Sequence, residues 1–145
     1  MYKHILIATD GSELAHKAVV QGLALARALA AKVTLATVTE PWTAVVPGEM
    51  GMAFPIDDYE KGAAQNAASV LAVAKAEADR SGIACETVHT ADEYPADGII
   101  NTTREKGCDL IVMASHGRRG ISRLLIGSQA NQVVVHSSIP VLIVR

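Results

Sequence analysis

Two glycine-bearing turns hold the residues of this chain best suited to chemistry. The first is Thr9-Asp10-Gly11-Ser12; the second starts at Ser115-His116-Gly117 and closes at Gly127-Ser128. Gly127 has no Cβ, so a ligand can approach its backbone closely. The N–H groups at the start of a helix opening there, with the positive end of its dipole, favour a phosphate. Ser128 can cap that helix or donate its hydroxyl to a phosphate oxygen. Arg118, Arg119 and Arg123 add positive charge to a chain whose 13 basic and 15 acidic residues leave a net charge of −2. The same residues also suit a plain strand-to-helix turn with a steric glycine and a solvated arginine cluster. In the first turn, Asp10 or Ser12 can cap the helix that follows.

Other chemistries lack their residues. There is no GxxxxGK[ST] and no GxGxxG after the first strand, which argues against a P-loop enzyme and a dinucleotide site. Asp10-Gly11-Ser12 lacks the tandem glycines of the SGGxDS loop of ATP pyrophosphatases. His116 invites a general-base reading, but no Glu-x-x-His, metal-ligand spacing or Gly-x-Ser-x-Gly elbow accompanies it. It suits contact with a phosphate better, and neither a catalytic nor a metal residue is expected. His4, His16, His89 and His136 read as solvated or strand-edge residues. Cys85 and Cys108 form no disulfide framework. They read as small buried residues of a reduced, cytoplasmic protein. The near-neutral charge offers no bulk attraction to nucleic acid or to an anionic membrane. Aromatic residues are 3% of the chain, too few for a base-stacking platform. No apolar run reaches the ~18 residues that would span a bilayer. At 145 residues the chain fits a single domain, 1–145, with an aliphatic, alanine-rich core.

The turns must be held by regular elements, and these are legible. Ile5-Ala8 is a continuous apolar run, as in a strand covered on both faces. Leu14, Ala18, Gly22, Leu25 and Leu29 recur at helical steps. Val33–Val38 reads as a second strand. Residues 39–57 carry three prolines and two glycines and read as a long loop. A helix is expected over 58–80, stopping at Ser81-Gly82. Strands follow at 85–90, 109–114 and 140–144. Helices follow at 95–107, with Pro95 at its first position, and at 128–136. Alternating strands and helices imply an α/β, doubly wound sheet of five parallel strands with helices on both faces. The expected order is 3-2-1-4-5. It reverses between strands 1 and 4, where ligands bind outside the carboxyl ends. Both glycine-bearing turns leave those two strands.

The run Ala114-x2-Gly117-x9-Gly127-Ser128 resembles the G-x2-G-x9-G-[S/T] motif of the ATP-binding universal stress proteins. Lys3 to Ser12 is similar to that family's first strand and turn. Asp109–Met113 and Pro140–Val144 are similar to its fourth and fifth strands. The resemblance covers essentially the whole chain. It implies a cytoplasmic regulatory module that binds ATP, with Mg2+ as a companion ion, and is not primarily an enzyme. Residue by residue, it puts Asp10 at the ribose, Thr9 in the pocket wall and the Val38 backbone at the adenine, with Met113 packed nearby. Gly117, Gly127, Ser128 and the Gln129 backbone would hold the phosphates. Ala114 departs from the motif's first glycine, and its added methyl at the strand end would crowd the ribose. That departure keeps a second reading open, a family member without ATP that acts through dimerisation and protein partners. An adenylyl-transferring enzyme is a third reading, disfavoured by the incomplete SGGxDS loop. A homodimer is expected through strand 5, an apolar edge from Val141 to Val144. Residues 43–56 are expected to form a mobile flap ordered by ligand. Gly127→Val is expected to remove binding with little harm to the sheet.

Overall fold

Ile5, Leu6 and Ile7 are completely buried, so the first strand is covered on both faces as its apolar run requires. The computed structural model describes residues 1–45, 55–117 and 126–145. In chain order the elements are β1 (His4–Ala8), α1 (Glu13–Leu29), β2 (Lys32–Thr39), α2 (Trp42–Val45) and α3 (Ile56–Arg80). They continue with β3 (Cys85–Ala91), α4 (Pro95–Lys106), β4 (Leu110–Ala114), α5 (Ser128–His136) and β5 (Val141–Val144). The sheet is parallel with order β3-β2-β1-β4-β5, the order read from the sequence. Its registers include Ile5 opposite both Val33 and Leu110, and Ile111 opposite Val141.

Alternation along the strands splits the core into two layers. Ile5, Ile7, Leu35 and Val112 face α1 and α3, meeting Ala18, Leu23, Leu71 and Ala74. Leu6, Ala36 and Ile111 face the other way, meeting Ala96, Ile99, Ala130 and Val133 of α4 and α5. Small residues let the α1 layer lie close. A Cβ on Gly22 would stand 2.7 Å from Ile7 Cδ1. At the amino end of the sheet the Asp109 carboxylate accepts the backbone N–H groups of Lys3 and His4 at 2.9 to 3.1 Å. No helix among the described residues is long and apolar enough to cross a membrane.

Several expectations shift. The third helix starts at Ile56 rather than Asp58, behind Pro55 as N-cap, and Trp42–Val45 forms a helical turn inside the expected loop. Cys85 is half-buried on the edge strand, whereas Cys108 is buried. His4 and His89 are bonded rather than merely solvated: their Nε2 atoms lie 2.8 Å from Thr34 Oγ1 and 2.7 Å from Thr39 Oγ1. Most of the expected flap, residues 46–54, and the three arginines at 118, 119 and 123 lie outside the described residues.

Candidate functional site

Both glycine-bearing turns stand at the carboxyl edge, where β1 and β4 are neighbours and their helices leave to opposite faces. The first turn consumes its own polar groups. Thr9 N–H continues the sheet by donating to the Ala36 carbonyl at 2.9 Å. Gly11 has φ +82°, a left-handed conformation that suits glycine. Its N–H donates to Thr9 Oγ1 at 3.2 Å, Ser12 N–H to Asp10 Oδ1 at 2.9 Å, and Ala15 N–H to Ser12 Oγ at 3.2 Å. Ser12, not Asp10, is therefore the N-cap of α1. Asp10 braces the turn and leans on the second one: a Cβ on Gly117 would lie 2.8 Å from Asp10 Oδ2.

The second turn closes by backbone contact. Ser115 N–H donates to the Val144 carbonyl, and Gly127 N–H to the Ser115 carbonyl, both at 2.8 Å. A Cβ on Gly127 would meet that carbonyl oxygen at 2.9 Å and His116 Cδ2 at 3.3 Å. Glycine is thus required by packing, and Gly127→Val would disturb the exit of β4 whatever binds there. That corrects the expectation of little harm. Gly127 is also the N-cap of α5, without a side-chain capping bond. Ser128 is the first helical residue and exposed, so it does not cap the helix. The Gln129 side chain turns elsewhere, its Oε1 accepting Ala96 N–H of α4 at 3.3 Å.

Val38 sits at the other end of the crevice. Residues two apart on an inner strand bond to the same neighbour. Ala36 receives Thr9 N–H, so the N–H and C=O of Val38 face the space beyond the last residue of β1. A cavity of about 480 Å³ opens there, lined by Asp10, Val38, Glu40, Tyr59 and Gly62. Its outer wall is α3, eight residues longer than α1 (25 against 17). At 1.5 Å per residue that is about 12 Å of extra helix. Tyr59 O–H donates to the Glu40 carbonyl at 2.7 Å, joining the helix to the end of β2. Burial pushes the Tyr59 phenol above its usual pKa, and the Glu40 charge adds to the shift. Sequence reasoning read this helix, from residue 58, but did not place it at the cleft.

Two expected site residues face the core. Met113 is 7% exposed and packs with Ala130 and Val133 in the α4/α5 layer. Ala114 is 8% exposed and packs in the α1/α3 layer. Its methyl is therefore core material. Thr9, Asp10, Gly117 and Gly127 do come together at the switch point, with Val38 on the cavity's inner wall. Among the described residues no group of three or more His, Cys, Asp or Glu could hold a metal ion. Burial pushes the Cys108 thiol up to about 11, so it is protonated at neutral pH and a poor nucleophile.

The chain matches the universal stress protein family over residues 1–145. It is 31% identical to universal stress protein YxiE of Bacillus subtilis, covering 100% of both chains. It is similar to the solved structure of the protein MJ0577, with 26% identity, a TM-score of 0.84, and 99% and 96% of the two chains covered. MJ0577 is itself a universal stress protein, from Methanocaldococcus jannaschii. A universal stress protein solved in complex with cAMP is 25% identical at a TM-score of 0.70, with 99% and 97% covered.

Proposed function

The chain belongs to the universal stress protein family, and from that premise we propose that it is a cytoplasmic adenine-nucleotide-binding module with a regulatory output. ATP is the ligand of this reading. Asp10 takes the ribose, the Val38 backbone the adenine, and Gly117, Gly127, Ser128 and the Gln129 backbone the phosphates. The carrying observation is the convergence of Asp10 and Gly117 at the strand reversal, beside a cavity that Asp10 and Val38 both line. The N-terminus of α5, capped by a glycine backbone rather than a side chain, suits an anion. A relative's complex with cAMP supports the adenine class. Mg2+ would be held by phosphate oxygens and the Ser128 hydroxyl, hard oxygen ligands of the kind it takes. Bound there, it would offset phosphate charge.

In this reading the chain binds nucleotide for regulation rather than for fast turnover, and slow hydrolysis is compatible with it. The reading without nucleotide rested on Ala114. Its packing in the α1/α3 layer removes the steric ground for that reading.

The same proposal has residues 1–145 act as one domain and as a homodimer paired through β5. Leu142 on that edge strand is 40% exposed, and Val135 of neighbouring α5 is 64% exposed. Sedimentation should give a dimer at micromolar concentration, and Val141→Lys should give monomers or precipitate. A wild-type monomer would defeat this part. Mass spectrometry of purified protein, followed by titration with ATP, ADP, AMP and cAMP, tests the ligand. Binding by none of the four would overturn the nucleotide reading.

A further inference from the structure

We propose that Gly98, in the first turn of α4, is a positioning residue that sets the width of the nucleobase end of the cleft through Val38. The inference rests on the nucleotide-binding reading and extends it to a residue outside the cavity lining. Gly98 is a buried glycine inside a helix, where alanine is the better helix former. It does not have the positive φ that would call for glycine on backbone grounds. The reason is contact. A Cβ there would lie 2.7 and 2.8 Å from the two γ-carbons of Val38 and 3.3 Å from its Cβ.

Val38 cannot yield easily. Its branched side chain has few open rotamers, and Val38 itself lines the cleft. Nor is α4 free to retreat. Ala96 N–H is held by Gln129 Oε1 at 3.3 Å, and Thr102 Oγ1 lies 2.9 Å from Thr90 Oγ1 on β3. A methyl at position 98 therefore pushes the end of β2 toward α3, where Tyr59 and Gly62 form the facing wall. The phosphate end, around Gly127 and Ser128, is not in this path.

The test is a double-mutant cycle read by calorimetric titration with ATP and with adenosine. Gly98→Ala should weaken both ligands by the same factor, roughly tenfold, within the range of coupling between contacting residues. Val38→Ala removes both γ-carbons and leaves only the 3.3 Å approach of Cβ, so adding Gly98→Ala to it should cost far less than the roughly tenfold expected in the wild type. Three results would each overturn the inference: a folded Gly98→Ala protein with wild-type affinities, a loss confined to ATP, or a double variant weaker than Val38→Ala by about tenfold or more. If Gly98→Ala does not fold, the comparison of the double variant with Val38→Ala decides. Failure of the wild type to bind either ligand would remove the nucleotide reading itself, a result distinct from a wild type that binds and a variant that is unchanged.

Discussion

Two helices start at the carboxyl edge of the sheet, and their first turns are built in opposite ways. The turn into α1 is satisfied from within: Thr9, Asp10 and Ser12 accept the N–H groups of Gly11, Ser12 and Ala15. The turn into α5 has a glycine cap without a side-chain acceptor and an exposed serine behind it. In α1 a side chain takes the Ala15 N–H that would otherwise face an anion, whereas among the described residues no side chain caps α5, whose first turn and dipole suit one. Proximity to the crevice therefore does not decide which helix start binds. In the proposed reading, the local supply of side-chain acceptors does. Asp10 belongs to the first turn and touches the second, so it joins the two.

The strongest way to break this contrast is Gly127→Val. The new side chain would run into the Ser115 carbonyl, so stability should fall by about 1–3 kcal/mol as in other overpacked sites, and nucleotide binding should fall with it. Thermal melting measures the first, and an unchanged melting temperature would refute the steric account. Ser128→Ala separates the two properties. ATP affinity should drop severalfold, by about 1 kcal/mol for one lost hydrogen bond, while melting stays within about 0.5 kcal/mol of wild type. A loss of stability without a loss of affinity would make Ser128 structural. Ser12→Ala should do the reverse, costing about 1 kcal/mol of stability through the lost cap and leaving ATP affinity near wild type. The contrast fails if Ser12→Ala and Ser128→Ala give the same pattern.

The smallest effect concerns Asp109, a carboxylate saturated by backbone donors at the opposite end of the sheet. Burial works against its ionisation, but the N–H groups of Lys3 and His4 outweigh burial and hold its pKa below the ordinary value. A group whose pKa is lower folded than unfolded stabilises the protein above its unfolded pKa. That contribution is lost as pH falls through the folded value. Acid titration of melting temperature should show this loss below about pH 4, where free aspartate titrates, and Asp109→Asn should flatten it. The same slope in both proteins would remove the claim. ATP affinity at neutral pH should not change in this variant.

Cysteine chemistry offers a separate check on burial. Cys108 is buried and its thiol is held protonated, whereas Cys85 is half-buried on the edge strand. A thiol reagent at neutral pH should modify Cys85 first and reach Cys108 only on unfolding. Equal rates would contradict the packing of the α4/α5 layer.

Much of this fold was legible in advance because its signals are local. Continuous apolar runs mark strands covered on both faces, and Leu14, Ala18 and Gly22 mark one helical face. Right-handed crossovers then leave few strand orders. The glycine and serine spacing of the second turn needs nothing beyond counting. Less legible was the wall of the cleft. Residues 39–57 carry turn signals throughout, yet Trp42–Val45 and the start of α3 at Ile56 are helical, and Tyr59 docks on Glu40. Packing against the end of β2 overrode composition there.

By itself the sequence determined the parallel doubly wound sheet, the switch point between β1 and β4, and the pair of turns that meet there. Each of these follows from periodicity, connection handedness or spacing along the chain. Only the tertiary structure decided which face Ala114 presents, why Gly127 and Gly98 have no side chain, and that Ser12 rather than Asp10 caps α1. Those answers depend on which atoms lie within about 4 Å across segments remote in sequence, and close packing makes a single methyl matter. Neither Val38 nor Gly98 carries a local mark of the other. Their contact exists because β2 and α4 are pressed together by the sheet that both help to build.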